Sequence, residues 1–211
     1  MFYFIKTPWL VKKLIPFGVW DIPDAPNTLY LSFDDGPHPT ITPFVLDLLK
    51  KYQAKATFFC IGKNVMEHKE IYESILEQGH AVGNHTQNHL NGWKTPDDIY
   101  IKNIEIAQEH IKTNLFRPPY GRIKNSQSIM LKNLNPAMKI IMWDILSADF
   151  DVTINAEKCI SNVLKNIKPG AIIVFHDSEK AFPRLQKTLP VVLAQLTESG
   201  FVLNKIPENL S

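Results

Sequence analysis

The sequence predicts an α/β protein: an irregular (β/α)7-type barrel with parallel strands in a single domain. Three observations carry this. Short apolar runs rich in β-forming residues recur along the chain, as at 29–33, 56–61 and 171–175. Stretches with apolar residues at helical spacing separate them, the pattern of a parallel sheet. Clusters of Asp, His and Arg stand just beyond several of the runs, at the strand ends where barrels gather their reactive groups. At 211 residues the chain suits one undivided barrel. A doubly wound open sheet is the alternative. It is weakened because the first strand is not followed by the glycine pattern of a dinucleotide site.

The elements follow in order. The run from Leu29 to Phe33 is a buried strand that ends at Asp34-Asp35, and Gly36-Pro37 turns the chain away. Phe44, Val45, Leu48 and Leu49 repeat at helical spacing up to Tyr52. Residues 56–61 form a second strand closed by Gly62, and a helix over 69–78 is capped by Gly79. Residues 80–84 form a short third strand. Thr95-Pro96-Asp97-Asp98 opens a helix with a cap residue, a first-turn proline and two acids, and its stripe runs Ile104, Ala107, Ile111, Leu115. Phe116-Arg117 is a brief fourth strand. A helix over 126–134, a fifth strand over 139–143, a helix over 155–166 and a sixth strand over 171–175 follow. A last helix takes Thr188 as its cap, with Pro190 in the first turn and Val192 and Leu196 facing inward; Gly200 ends it before a seventh strand at 201–205.

Composition narrows the function classes. A hydrophobic fraction of 45% and a charged fraction of 21% are those of a soluble globular protein. Net charge is only +2, with no long basic run, so no nucleic-acid partner is expected. Cys60 and Cys159 fit neither a disulfide framework nor a zinc knuckle, and read as small apolar residues of a strand and a helix. Residues 1–27 form an arm in which Phe2, Tyr3, Phe4, Trp9, Phe17 and Trp20 mix with Lys6, Lys12 and Lys13. It has neither the apolar core nor the cleavage site of a signal peptide, and it is too broken to span a membrane. It suits either packing across one end of the barrel or contact with a membrane surface, which makes a cytoplasmic or membrane-surface location the expectation. Residues 21–27, with Pro23 and Pro26, lead into the first strand, and 207–211 are a tail.

The polar clusters carry the chemistry. Adjacent side chains leaving a strand diverge, so one of Asp34 and Asp35 can hold a metal while the other faces a water. His85 and His89 are spaced i and i+4, which on a helical turn brings both rings to one ion. Arg117 to Gly121 follow the fourth strand, Asp149 the fifth, and His176-Asp177 end the sixth. Each has a plain alternative: an Asp-Asp-Gly-Pro turn, two surface histidines, a Pro-Pro-Tyr-Gly turn beside a surface arginine, a helix-capping acid, a satisfied histidine at the rim. Five such accidents on one rim of one barrel are far less plausible together than singly.

The motifs Ser-Phe-Asp-Asp-Gly-Pro at 32–37, His-Thr-Gln-Asn-His at 85–89, Arg-Pro-Pro-Tyr-Gly at 117–121, the 143–150 segment and Val-Phe-His at 174–176 occur in this order. Over residues 28–206 the chain resembles the polysaccharide deacetylases of the NodB-homology type, carbohydrate esterase family 4. The resemblance implies a distorted barrel and a set of roles. Asp35, His85 and His89 would bind a divalent metal, zinc by preference, with cobalt, nickel or manganese as alternatives. Asp34 would be the general base, oriented by Arg117. The backbone N–H of Tyr120 would hold the oxyanion, and His176 would be the general acid, its charge set by Asp149. Pro118, Tyr120, Phe150 and Val174 would line the substrate. Two departures stand out: Phe150 where the family usually has Trp, and Val174 where it usually has Leu. The implied reaction removes acetyl groups from N-acetylglucosamine-type glycans such as peptidoglycan or chitin-like chains, in a protein expected to be a monomer. A smaller or lipid-linked amide is the alternative substrate, and a non-catalytic glycan-binding module the least supported reading, since binding needs no base and acid pair.

Overall fold

A computed structural model describes residues 3–23 and 26–210. Phe2 of the arm, Asp24 and Ala25 of the lead-in and the last residue of the tail lie outside the described residues.

The scaffold is built on one buried strand, β2. The arm before it contributes α1 (Trp9–Leu14) and β1 (Gly18–Val19); β2 follows (Thr28–Asp34). Then come α2 (Ile41–Lys51), β3 (Thr57–Cys60), α3 (Gly62–Glu67), α4 (Lys69–Glu77), β4 (Ala81–Asn84), α5 (Asp97–His110) and β5 (Leu115–Phe116). The chain continues with α6 (Asn125–Leu134), β6 (Lys139–Ile141), β7 (Ile145–Leu146), α7 (Ala156–Leu164), β8 (Ile172–His176), α8 (Phe182–Glu198) and β9 (Val202–Asn204). Every strand pair is parallel.

The strand order is β1-β6-β5-β4-β3-β2-β8-β7, with β9 beside the start of β2. Each βα unit from β2 to β6 is added on the same side of the last, so the sheet curls as a barrel does and has no reversal of the doubly wound kind. The path does not close on itself; β1 and β7 are its two ends. The arm reaches both. Val19 accepts a hydrogen bond from Met142 next to β6, while Ile5 accepts one from Leu146 and Lys6 forms an antiparallel bridge to Ile145 of β7. Lys6 and Lys12 both bind the buried Asp144 carboxylate, at 2.5 and 2.6 Å. Lys12 and Lys168 share Asp21. The arm thus runs along the seam of an open barrel rather than across one end, and Trp20 is buried with Ile104, Phe116 and Ile140.

Period-two alternation sorts β2 into two faces. Leu29, Leu31 and Phe33 enter the main core with α2, α7 and α8 residues such as Val45, Val163 and Leu189. Tyr30, Ser32 and Asp34 take the opposite face. In β8, Ile172, Val174 and His176 stand in register beside them. The carboxylate and the imidazole therefore emerge side by side at the C-terminal ends of two central strands.

Several elements differ from the sequence reading. The strands number nine among the described residues, because β1 and β7 are two-residue strands without a period to read. The fourth strand is Leu115–Phe116, so Leu115 leaves the α5 stripe, and the fifth stops at Ile141. Helix α3 starts at Gly62, where a strand was merely to close. Helix α8 begins at Phe182, with Pro183 in its first turn, and Pro190 lies inside it; the expected start at Thr188 mistook an interior proline for an initiating one.

Candidate active site

Three loops after β2, β4 and β5 converge. Asp35 leaves β2 with φ 82°, which swings its carboxylate away from that of Asp34. After β4 the chain does not make the expected helical turn. Thr86 and His89 both adopt left-handed backbone, φ 65° and 55°, and this brings the two rings within 5.0 Å, centroid to centroid. Tyr120 (φ 61°) and Ala148 (φ 62°) are the corresponding residues of two further loops. Of seven described non-glycine residues with positive φ, these five surround the site, so backbone strain is concentrated where side chains are aimed.

The donor atoms of Asp35, His85 and His89 all lie within 4.8 Å of one another. His85 Nδ1 is 2.7 Å from the Arg117 carbonyl oxygen, to which it donates, so Nε2 carries the lone pair. Burial, with His89 nearby, pushes the His85 pKa down to about 3 against the opposing pull of Asp35, and burial lowers that of His89 as well. Both rings are therefore neutral near pH 7. A neutral Nε2 facing a carboxylate oxygen 3.8 Å away opposes lone pair to negative charge. A cation between them relieves that opposition, and two imidazoles with one carboxylate are a ligand set suited to a divalent ion with open positions. The residues fit such a metal.

Asp34 is almost wholly buried, with its Oδ1 2.6 Å from Arg117 Nη1. The Arg117 guanidinium is inaccessible to solvent. It donates also to Ser32 Oγ at 2.8 Å and to the Ile141 and Met142 carbonyls at 3.3 and 3.0 Å, and rests 3.9 Å above the Phe59 ring. A buried cation so fully bonded is rigid, and fixes Asp34 in turn. Among the described residues Asp34 Oδ2 makes no hydrogen bond and remains available.

His176 lies across from Asp34 in the β2–β8 register. Its Nδ1 is 2.8 Å from Asp149 Oδ1, and its backbone N–H donates to Asp149 Oδ2 at 2.9 Å. Burial opposes charge on the ring, but the Asp149 carboxylate, with Asp35 and Asp34 behind it, outweighs burial and raises its pKa to about 9.

The remaining residues named from sequence line this centre. Pro118 is buried and starts the turn carrying Tyr120, whose exposed ring lies 4.6 Å from that of His89. Phe150 sets its edge on His176 at 5.1 Å. Val174 is buried on the same face as His176 and beside Ser32.

Four contributors were given no role in the site from sequence. Ser32 shares the Asp34 face and binds Arg117; period two from Asp34 was the signal for it. Asp177 accepts from Gly36 N–H at 3.0 Å and from Thr42 Oγ1 at 2.5 Å, bracing the turn that bears both aspartates. Arg184 Nε donates to the Asp149 carbonyl at 2.5 Å. Tyr3 of the arm sets its ring on Phe150 at 5.3 Å and donates its hydroxyl to Asp151. The Asp177 and Tyr3 contacts cross most of the chain and, like that of Arg184, leave no local pattern.

A curled parallel sheet with these groups at its C-terminal rim defines a hydrolase of the polysaccharide deacetylase class. The polysaccharide deacetylase family profile matches residues 21–136. A peptidoglycan-N-acetylglucosamine deacetylase of Bacillus cereus is 33% identical over 95% of this chain and 97% of its own length. A chitooligosaccharide deacetylase of Azorhizobium caulinodans is 34% identical over 86% of this chain and 93% of its own. Among solved structures, the Bc1960 peptidoglycan N-acetylglucosamine deacetylase superposes with a TM-score of 0.83 at 29% identity, covering 95% of each chain. The chain belongs to the polysaccharide deacetylases of carbohydrate esterase family 4, the NodB-homology type.

Proposed function

We propose that the protein removes acetyl groups from N-acetylglucosamine residues of a glycan, with Asp34 as base and His176 as acid. The observation that carries this is the pair itself: a carboxylate held by Arg117 and an imidazole held charged by Asp149, standing in register on adjacent strands beside the Asp35–His85–His89 group. Asp35, His85 and His89 would hold a divalent metal, zinc by preference, with cobalt, nickel and manganese as alternatives. When bound, the metal polarises the amide carbonyl and makes water a better nucleophile.

The rest belongs to the chain. Asp34 Oδ2 takes a proton from the attacking water as its oxygen joins the acetyl carbon. The Tyr120 N–H bonds the oxygen that becomes negative. His176 Nε2 gives its proton to the amine nitrogen as the carbon–nitrogen bond breaks, leaving acetate and a free amino sugar. Phe150 and Val174 give the acetyl methyl apolar walls, and Pro118 sets the turn from which Tyr120 faces the sugar. The relatives named for peptidoglycan and chitooligosaccharides support glycans of this kind as substrates.

Acetate release from N-acetylglucosamine oligomers by the zinc-loaded protein tests the reading. Release is expected, with a fall of about 10²–10⁴-fold in Asp34→Asn at unchanged metal content. A near-normal rate in that variant would remove Asp34 as the base. One observation favours a second substrate, an acetylated amino sugar linked to a lipid. Helix α1 exposes Trp9, Leu10 and Leu14, with Lys13 stacked over Trp9 at 4.5 Å, an apolar and basic face suited to a membrane surface. Turnover of a lipid-linked sugar with none of the soluble oligomers would favour it.

A further inference from the structure

A second feature of the same rim lies outside the roles given above. The loop after His89 carries Trp93, which is 57% exposed yet fixed in place. Its indole N–H donates to the Ile123 carbonyl at 3.2 Å, and its backbone N–H to Asn91 Oδ1 at 3.1 Å. Gly92 beside it donates to the Arg122 carbonyl at 3.2 Å, and a Cβ on Gly92 would come within 2.4 Å of that oxygen, so the two segments are as close as backbones allow. Across this junction the Arg122 guanidinium lies 5.0 Å from the Trp93 ring. Arg122 stands two residues beyond Tyr120, whose ring, 51% exposed, rests on His89. Among the described residues Arg122 has no carboxylate partner. The rim thus presents two aromatic rings and a cation that lies over one of them and has no carboxylate partner among the described residues.

A rigid exposed indole is a platform for the apolar face of a sugar ring, and ordering it takes little conformational entropy because the loop is already bonded. A guanidinium beside it recognises a carboxylate through paired N–H donors. We infer that Trp93 and Arg122 form a sugar subsite next to the reactive centre, selective for a glycan whose neighbouring sugar carries a carboxylate. This rests on the deacetylase reading and narrows it: a lactyl carboxylate on N-acetylmuramic acid meets the requirement, and a chitin-like chain does not.

The test compares acetate release from three oligosaccharides of equal length: neutral N-acetylglucosamine oligomers, N-acetylglucosamine–N-acetylmuramic acid oligomers with free lactyl carboxylates, and the latter with those carboxylates converted to methyl amides. The expected result is a kcat/KM preference of about 10-fold for the free acid over its amide, lost in Arg122→Gln with the rate on neutral oligomers unchanged. Trp93→Ala is expected to raise KM on all three by about 10-fold with kcat preserved. A preference that is absent, or that survives Arg122→Gln, overturns the inference and leaves the deacetylase reading standing. Release from none of the three overturns the subsite and moves the deacetylase reading to the lipid-linked sugar. A kcat loss at unchanged KM in Trp93→Ala would mark Trp93 as structural support and also overturn the subsite.

Discussion

His176 owes its proton first to one neighbour. Burial alone would strip the charge from the ring; Asp149 at 2.8 Å, with Asp35 and Asp34 behind it, restores the charge and moves the pKa from 6.5 to about 9. The sign follows from the proposed role. An acid must be protonated to act, so the rate falls as pH rises through about 9. In His176→Ala that alkaline limb should vanish and kcat should drop by about 10²–10⁴-fold, read from the pH–rate profile. The same pair stabilises the fold fully below the ordinary histidine value and loses that contribution as pH rises through about 9. Asp34, Asp35, His85, His89, Arg117, Asp149 and His176 were legible in the sequence because each stands where a strand ends, within a short recognisable motif. Asp177, Arg184 and Tyr3 were not. Their partners lie far away in sequence, and a lone acid, arginine or tyrosine has no period or spacing that discloses a contact.

Among the elements, β2 does the most to hold the site in place. Phe33 stacks on Phe58 of β3 at 5.2 Å and on Phe175 of β8 at 5.8 Å, so one aromatic row ties the strands that carry Asp34 and His176. Phe33→Ala should lower unfolding stability by about 3–5 kcal/mol in urea titrations. Longer strands such as β2, β3 and β8 were readable as apolar runs. β1 and β7 were not, since two residues show no alternation and owe their pairing to edges offered by β6 and β8. The His85–His89 loop shows the same limit in another form. Spacing i, i+4 suggested a helical turn, while left-handed backbone at Thr86 and His89 achieved the convergence by a different path.

At the scale of the molecule, the parallel barrel was legible because strands and helices alternate, but its open seam was not. Closure depends on residues 5–19 and on Asp144, a buried carboxylate bound by Lys6 and Lys12 with Lys168 at 3.8 Å. Asp144→Ala should leave those lysines without their shared partner. A loss of about 1–3 kcal/mol and faster chymotrypsin cleavage near Trp9 are expected; unchanged proteolysis would show that backbone pairing alone holds the arm. The seam has a further consequence, for biosynthesis. Residues 5–19 are translated early, yet the edges they join, β6 and β7, emerge late. Throughout that interval residues 5–19 lack the edges they pair with, which leaves a growing chain with an unpaired apolar arm and an unsealed cylinder. Helix α1 is made before the strands that its segment joins, and it is among the last of these elements to find its place.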